Sequence, residues 1–445
     1  MNKNKDYLIT EKPSRALFAF ALPMIIGNLF QQAYTIVDSA IVGHYVGETA
    51  LAAVGASYAL TSIFICVAIG GGIGASVIIS QHFGGHAYSR MKTSIRTAML
   101  SFLLISLMLG GIGLCFSRQI MEALNTPADA MDIAVIYLNI YFYGLPFLFM
   151  YNILSSMFNA LGESRIPLYL LIFSSVLNIF LDLYMVATLH LGVAGAAYAT
   201  FIAQGISAVC SFLIFLHTLR RLDGKAETWF SKAEFSSMSR IALPSILQQS
   251  TVSIGMMLVQ SVVNGFGTQI LAGFSAGMRI ESLCVVPMAA IGNALSSYTA
   301  QNIGAEKHER ISLGYRTANF MVAITAVILC LFLELLHRPL IALFLDGAPS
   351  AQTVATGEGY LRFIGFFFCM IGFKMAVDGI LRGAGAVKVF TIANLVNLGL
   401  RVLIAKLGAP VYGIAMIWYA VPLGWLANFL ISYGYYRTGK WKQIS

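Results

Sequence analysis

The sequence predicts an all-α integral membrane protein of twelve transmembrane helices, arranged as two six-helix bundles related by a pseudo-two-fold axis along the membrane normal. Three observations support this prediction. Of 445 residues, 58% are hydrophobic and 11% are charged, whereas about a quarter of an ordinary soluble chain is charged. Long apolar runs alternate with short polar connections, and a spanning helix needs about 20 such residues. Motifs of the first half recur in the second.

Dividing the chain at charges and at glycine or proline clusters gives twelve predicted spans. The first six cover residues 15–42, 52–81, 93–116, 133–160, 166–187 and 193–218. The second six cover residues 240–263, 271–300, 312–336, 354–381, 388–406 and 411–436. No cleaved signal peptide is expected, because the first fifteen residues are polar and basic and the apolar run after them is too long for one.

Lysine and arginine are distributed unequally between the connections. If the N-terminus is inside, 21 of the 28 lie in inner segments, three in outer segments and four within or beside spans. Because cytoplasmic loops collect positive charge, we expect a multi-pass protein of the plasma (inner) membrane with both termini in the cytoplasm. The net charge of +9 then reflects topology, so the expected surroundings are the lipid bilayer and no nucleic acid.

Similar motifs recur in the two halves. FALPMI around Pro23 matches IALPSI around Pro244, and SQHFGGHAYSRMKTSIRTA at Ser80 matches AQNIGAEKHERISLGYRTA at Ala300. Six spans return the chain to its starting side, so both copies share one orientation, as in transporters with parallel repeats. The predicted division is an N-terminal lobe (1–218), a cytoplasmic linker (219–239) and a C-terminal lobe (240–445). We expect a monomeric transporter and no enzyme, with a duplicated scaffold of another role as the alternative.

Acidic residues inside the spans are the candidate functional groups, because charge in hydrocarbon is costly. They are Asp38, Asp182, Glu281 and Asp378. Asp38 and Asp182 lie about four and five residues from the outer ends of outward-running helices, so their heights match. Asn178 shares a helix face with Asp182, and Thr200 lies a couple of turns below the outer end of span six.

These four residues, Asp38, Asn178, Asp182 and Thr200, predict an oxygen-rich pocket for a coupling cation. It would hold Na⁺ or a proton, since two neighbouring carboxylates in a low dielectric cannot easily both ionise. The alternative is an aspartate that accepts local hydrogen bonds or pairs with a basic residue. No lysine or arginine lies at that depth in the spans of the first half, which favours the pocket.

The acids of the second half have basic residues nearby. Asp378 follows Lys374 by one helical turn, a spacing at which the two neutralise each other. Glu281 needs a partner from another helix, and Arg401 is a candidate for either acid. These residues are expected to hold the lobe together or to shape the substrate cavity.

Two further features are candidates for a role in transport. Pro23 removes a backbone hydrogen bond within span one, which predicts a hinge. Span four is rich in aromatic residues, among them Tyr141, and also carries Asn152. Ring faces suit a planar cationic substrate, although an aromatic-rich helix also packs well against its neighbours.

The motifs together resemble the multidrug and toxic compound extrusion (MATE) family, of the prokaryotic DinF/MepA-like type. They are the ALP opening of spans one and seven, VDSAIVGHYVG, the QHFGG/QNIGA pair, GMRIESL, and LRGAG after span ten. The resemblance implies a V-shaped twelve-helix antiporter that exports organic cations or amphipathic small molecules in exchange for H⁺ or Na⁺, without any other cofactor.

The resemblance also implies roles for individual residues. Asp38, Asn178, Asp182 and Thr200 match a cation-binding cluster of the N-terminal lobe in prokaryotic members. In span seven, PSILQQSTVSIGMMLVQ has glutamines where some members carry a carboxylate, which argues against a cation site of that type in the second half.

Two other functions are alternatives. A lipid-linked oligosaccharide flippase of the same wider superfamily would prefer a strongly basic cavity, whereas the first half offers acids. An intramembrane aspartyl enzyme would need a water-fed site, which the predicted position of the aspartates near the outer surface does not suggest.

Overall fold

A computed structural model describes residues 6–46, 48–124, 126–128, 130–345 and 349–443, and these residues contain helices but no β-strand. The first half comprises α1 (Tyr7–Thr10), α2 (Pro13–Val46), α3 (Glu48–Gly84), α4 (Tyr88–Ala123), α5 (Met131–Ala160), α6 (Arg165–Asp182) and α7 (Gly192–Arg220). A π-helical turn, Leu183–Thr188, continues α6.

The second half comprises α8 (Lys232–Asn264), α9 (Thr268–Gly304), α10 (His308–Leu343), α11 (Ala351–Gly365), α12 (Phe368–Gly383), α13 (Val387–Tyr412) and α14 (Ala415–Arg437). A short 3₁₀ helix, Lys440–Gln443, follows. In the described chain, eleven helices are long and apolar enough to cross a membrane, or twelve if α11 and α12 together form one span. The prediction of an all-helical membrane fold is therefore confirmed.

Most helices extend beyond the predicted spans, and one predicted span is interrupted. The span predicted at 354–381 is broken, and its two parts, α11 and α12, are bent by 52°. At the break the backbone turns tighten, with Phe367 N donating to Ile364 O and Met370 N to Phe367 O. Because the sequence is apolar on both sides, hydropathy gives no signal there. Helix α8 begins at Lys232, before the predicted span that starts at residue 240. The hydropathy pattern missed these first turns because they are helical but polar.

The repeat detected in the sequence extends to the helix bounds. Helices α3 and α9 each have 37 residues, and α4 and α10 each have 36, with every end displaced by 220 positions. The turns between them also correspond, because His86 and Glu306 both adopt left-handed backbone conformations, at φ of 56° and 57°. Left-handed residues commonly end helices, so both copies use the same turn.

The chain divides into two compact units. The N-unit is Ile26–Ile246, and the C-unit is Met1–Ile25 with Leu247–Ser445. Helix α2 passes from one unit to the other two residues after Pro23, and α8 does so two residues after Pro244. The division into lobes at 219–239 stays a prediction.

Glycines let helices approach closely within the N-unit. A Cβ on Gly72 of α3 would lie 2.5 Å from Ser156 Oγ, and one on Gly74 would lie 2.6 Å from the Met238 carbonyl oxygen. Small residues at such positions permit close packing of membrane helices. The glycine-rich segment GGGIGAS of α3, residues 70–76, is therefore explained by packing.

Within the N-unit, the linker docks on the start of α4. Lys92 Nζ donates to the carbonyl oxygens of Leu222 and Gly224, at 2.6 and 2.7 Å. At the start of α8, Glu234 receives a hydrogen bond from Ser94 Oγ at 2.7 Å and lies 3.0 Å from His82 Nε2. The segment leading into α8 is thus part of the N-unit.

Within the C-unit, α1 docks at the equivalent place. Asn302 Nδ2 donates to the Leu8 carbonyl oxygen at 3.1 Å, and Lys307 Nζ donates to the Ile9 carbonyl oxygen at 3.0 Å. Arg310 donates to the carbonyl oxygens of Leu8 and Glu11. The segment leading into α2 is thus part of the C-unit.

Candidate functional site

Three helices of the N-unit supply the predicted cation pocket. Asp38 belongs to α2, Asn178 and Asp182 belong to α6, and Thr200 belongs to α7. Asp182 is fully buried and Asn178 is 2% exposed. The predicted set is therefore brought together in one place, although its function stays a prediction.

The amide of Asn178 is the hub of the hydrogen-bond network. Its nitrogen donates to Tyr34 Oη and to Asp182 Oδ2, each at 2.8 Å. Its oxygen accepts from Thr200 Oγ1 at 3.3 Å and from the Thr200 backbone nitrogen at 3.1 Å. This orientation is assigned because it gives the amide nitrogen and oxygen complementary partners, and in it the Thr200 hydroxyl proton is shared with the Ala196 carbonyl oxygen at 3.1 Å.

The two aspartates meet at this network. The carboxyl groups of Asp38 and Asp182 lie near enough to interact with each other. The Oδ1 atom of each is buried and accepts no hydrogen bond from the described residues. None of the ion pairs in the described part of the chain includes either aspartate. Two adjacent carboxyl groups of this kind either share a proton or need a bound cation.

The backbone changes its helical form directly after Asp182. Leu183–Thr188 forms a π-helical turn, with Leu189 N donating to Tyr184 O. Single π turns inside α-helices are frequent at functional sites. The turn ends α6 just beyond the carboxylate, so it sets the position of Asp182 relative to α7.

Tyr34 is a member of the site that the sequence analysis missed. It precedes Asp38 by one helical turn, so the two share a face of α2, just as Asn178 and Asp182 share a face of α6. That spacing was the available signal. A second tyrosine, Tyr137 of α5, lies close enough to both aspartates to interact with them electrostatically.

The two predicted substrate residues of α5 lie apart. Tyr141 donates to the Thr61 carbonyl oxygen at 3.3 Å and lines a cavity of about 20 Å³, which also borders Tyr137 and Thr200. A space of that size holds about one water molecule. Asn152, eleven residues further along α5, donates to the carbonyl oxygen of Leu148 in its own helix.

The acids of the C-unit have fixed partners. Asp378 Oδ2 lies 3.0 Å from Lys374 Nζ, as their spacing predicts, and Asp378 Oδ1 accepts from Ser432 Oγ at 2.8 Å. Lys374 also donates to Asn394 Oδ1 at 3.2 Å. This buried lysine and aspartate neutralise each other within the lobe.

The predicted partner of Glu281 is also nearby. Glu281 accepts a hydrogen bond from Tyr360 Oη, and Arg401 lies close enough for an electrostatic interaction. Arg401 Nε is buried and has no hydrogen-bond partner among the described residues. The interaction between Glu281 and Arg401 is therefore electrostatic rather than a direct hydrogen bond.

The predicted hinge residue, Pro23, is buried inside α2. The helix continues through it to Val46, and the passage from the C-unit to the N-unit follows two residues later. A position at which an interrupted hydrogen-bond ladder meets a boundary between units suits a hinge. The hinge stays a prediction.

Comparison with known proteins identifies the family of the chain. The MatE family matches residues 23–184 and 244–407. A probable multidrug resistance protein of Bacillus subtilis, YpnP, is 30% identical over 97% of this chain and 96% of its own length. A second B. subtilis protein of the same description, YoeA, is 26% identical over 100% of this chain and 99% of its own length.

Solved structures agree on the fold. A multidrug resistance MATE family transporter of the MOP superfamily, in an outward-facing conformation, has a TM-score of 0.89 at 22% identity and covers 100% of both chains. The family consists of transporters rather than enzymes, which confirms the expectation of a transporter. The matched residues span most of the chain and both of its repeats, so this protein belongs to the MatE family of membrane transporters.

Proposed function

We propose that this protein is a secondary antiporter that exports cationic or amphipathic small molecules in exchange for a cation bound by Asp38 and Asp182. The observation that carries the proposal is the proximity of two carboxyl groups, each with a buried Oδ1 atom, that have no basic partner in the described part of the chain. Such a pair is stable only with a proton or cation bound, so cation release changes the balance of forces between α2 and α6.

That change has a route to the rest of α2. When both carboxylates are ionised, their repulsion separates the outer part of α2 from α6. Pro23 lies fifteen residues before Asp38, so a bend there converts a small displacement into movement of the whole outer segment. Exchange then follows from thermodynamic linkage. If the substrate binds one conformation more tightly and the cation binds the other, binding of either ligand lowers the affinity for the other.

The orientation of the Asn178 amide favours a proton as the coupling ion. Its nitrogen faces Asp182, and its oxygen is occupied by Thr200. Hard cations such as Na⁺ prefer several oxygen ligands, so sodium binding would require the amide to turn and to lose its bonds to Thr200 and Tyr34. A proton between Asp38 and Asp182 requires no rearrangement.

The family relatives support small-molecule substrates, since those described above are named as probable multidrug resistance proteins. We propose that Tyr141, Asn152, Glu281, Asp378 and Arg401 act at or around the substrate path. Asp378 and Arg401 would do so indirectly, by holding the C-unit helices in place. The positive charge distribution supports insertion in the plasma membrane with both termini in the cytoplasm.

Ion-driven uptake of a fluorescent planar cation into proteoliposomes tests the proposal. Uptake is expected when a pH gradient is imposed, and it should be weaker with a sodium gradient of equal size. Asp38→Asn should abolish the response to either gradient. Asp132→Asn is the matched control, because the Asp132 side chain is 82% exposed, and it should transport normally. Gradient-driven uptake that survives Asp38→Asn would refute the mechanism.

A further inference from the structure

The C-unit contains a cavity of about 650 Å³ that the proposed exchange does not use. It lies between α10, α12 and α14. Its lining includes two arginines and a set of aromatic residues, of which the argument uses Arg316, Phe320, Phe373, Phe429, Tyr433 and Arg437. A volume of several hundred Å³ is typical of sites for small organic ligands.

The cavity is positively charged. Arg316 and Arg437 both line it, and no acidic side chain is among the described residues that do. Neither arginine takes part in an ion pair with another described residue. Arg437 donates to Tyr433 Oη at 3.3 Å, which leaves most of its donors available. Two unneutralised guanidinium groups at one cavity favour a bound anion.

The charge is confined to one end of the cavity. Arg437 is the last residue of α14, and Phe429 lies eight residues before it, or about 12 Å deeper along the helix. On α10, Phe320 lies about 6 Å deeper than Arg316. On α12, Phe373 lies ten residues before Gly383 at the helix end. The cavity therefore has a basic mouth and an aromatic interior, and charge distribution places the mouth on the cytoplasmic side.

The aromatic interior is accessible from the side of the bundle. Phe320 is 67% exposed, and its neighbours on the same helix, Leu313 and Ile324, are 50% and 45% exposed. The opposite wall is rigid, because Tyr433 stacks on Phe429 with ring centres 5.3 Å apart. A ligand can thus enter along an apolar helix face while its charged part remains at the arginines.

We propose that this cavity binds an anionic phospholipid of the cytoplasmic leaflet. The phosphate lies between Arg316 and Arg437, and an acyl chain runs along Phe320 and Phe429. A phospholipid matches the site in three respects: its charge is negative, its charged and apolar parts are separated along one direction, and it reaches the site from the bilayer. Basic pockets between helices on the cytoplasmic side bind lipid head groups in this way.

Native mass spectrometry of the full-length protein in a neutral detergent tests the proposal, because micelles lack the surface potential of a charged bilayer. The probes are phosphatidylglycerol, phosphatidylcholine of the same acyl chains, and inorganic phosphate. Wild-type protein should retain phosphatidylglycerol at least about tenfold better than phosphatidylcholine, a difference of about 1.4 kcal/mol. Arg316→Gln combined with Arg437→Gln should remove that preference. The single variant Phe320→Ala should weaken the retention of phosphatidylglycerol.

The matched control is Arg220→Gln combined with Arg221→Gln, which removes the same charge at the same predicted membrane face but in the N-unit. It should leave the preference within about twofold of wild type. Because both arginines are exposed and glutamine keeps the apolar stem of the side chain without its charge, the variants should fold, and an unchanged elution profile confirms it. Equal retention of both lipids by wild type, loss of preference in the control, or equally effective competition by inorganic phosphate would each overturn the proposal.

Discussion

The buried carboxylates of the N-unit and the C-unit are balanced in different ways. In the N-unit, Asp38 and Asp182 contact each other and are surrounded by neutral partners. In the C-unit, Asp378 is paired with Lys374 at 3.0 Å. An acid with an internal cation is neutralised within the fold, whereas the pair without one is the site that we propose for the exchangeable cation.

The duplicated sequence also shows where this difference arose. The equivalent helix of the second half, α8, carries no acid between Glu234 and its end at Asn264, and it reads VQS around Gln260. Gln260 Nε2 donates to Ser275 Oγ at 3.2 Å, a neutral contact between helices α8 and α9. The outer part of this helix thus contains the acid of the proposed exchange site in the first half and remains uncharged in the second.

The largest expected effect is on transport and comes from Asp182→Asn. The amide keeps the size of the side chain and removes the exchangeable proton, so gradient-driven uptake in everted vesicles should fall by at least about tenfold. Thermal stability should be unchanged or higher, since an unfavourable buried charge is lost. Asp223→Asn, in the linker, serves as a control with the same chemical change. Normal uptake by Asp182→Asn would show that the carboxyl pair of the N-unit is not needed for transport, so the proposed difference between the two units would be wrong.

Asp378→Asn should have the opposite pattern. It leaves Lys374 buried without a counter-charge, and breaking a buried ion pair costs about 3–5 kcal/mol. The melting temperature in detergent should fall clearly, while transport per folded molecule should persist. Replacing both partners, with Lys374→Met and Asp378→Leu, should restore much of the stability. If the single variant melts like wild type, the pair is not structural.

Glu281→Gln tests the second acid of the C-unit. The amide oxygen still accepts from Tyr360, but Arg401 loses its nearby negative charge. A destabilisation of about 1–3 kcal/mol is expected. The rate of uptake should stay above about half of the wild-type rate. Glu163→Gln, in the connection before α6, is the control for the same substitution elsewhere. A complete loss of uptake, equal to that of Asp182→Asn, would show that both units carry exchangeable charge.

The smallest effect on stability should come from Tyr34→Phe. The change removes one acceptor from the Asn178 amide, which costs about 1 kcal/mol. The Asn178 amide then holds Asp182 less firmly, so the initial rate of uptake should fall severalfold without being abolished. Tyr45→Phe, an exposed tyrosine of the same helix, is the control. Uptake unchanged by Tyr34→Phe would mean that Tyr34 only fills space.

The sequence predicted those parts of the molecule that depend on local spacing. The apolar runs predicted the helices, and spacings of one helical turn predicted both the Lys374–Asp378 pair and the shared face of Asn178 and Asp182. Matching depth then placed Asp38 beside Asp182. Each of these inferences needs only the rise and period of an α-helix.

The sequence did not predict features that depend on tertiary contacts or on backbone departures within apolar segments. The break after Gly365 and the π turn after Asp182 lie in uniformly hydrophobic stretches, where composition carries no information on hydrogen-bond register. The docking of Glu234 against His82 joins residues 152 positions apart. Only the three-dimensional arrangement brings such residues together.

The first part of α2 belongs to the C-unit, and the first part of α8 belongs to the N-unit. This arrangement has a consequence for biogenesis. Residues Tyr7 to Ile25 leave the ribosome first, yet they belong with helices that are made last. During synthesis these residues remain incompletely packed until α9 and α10 have been made, because α1 packs against those helices. If the chain is divided at residue 219 and the halves are expressed from two genes, each half lacks a segment of its own unit that the other half carries. Co-expression of both halves should therefore restore transport that neither half shows alone.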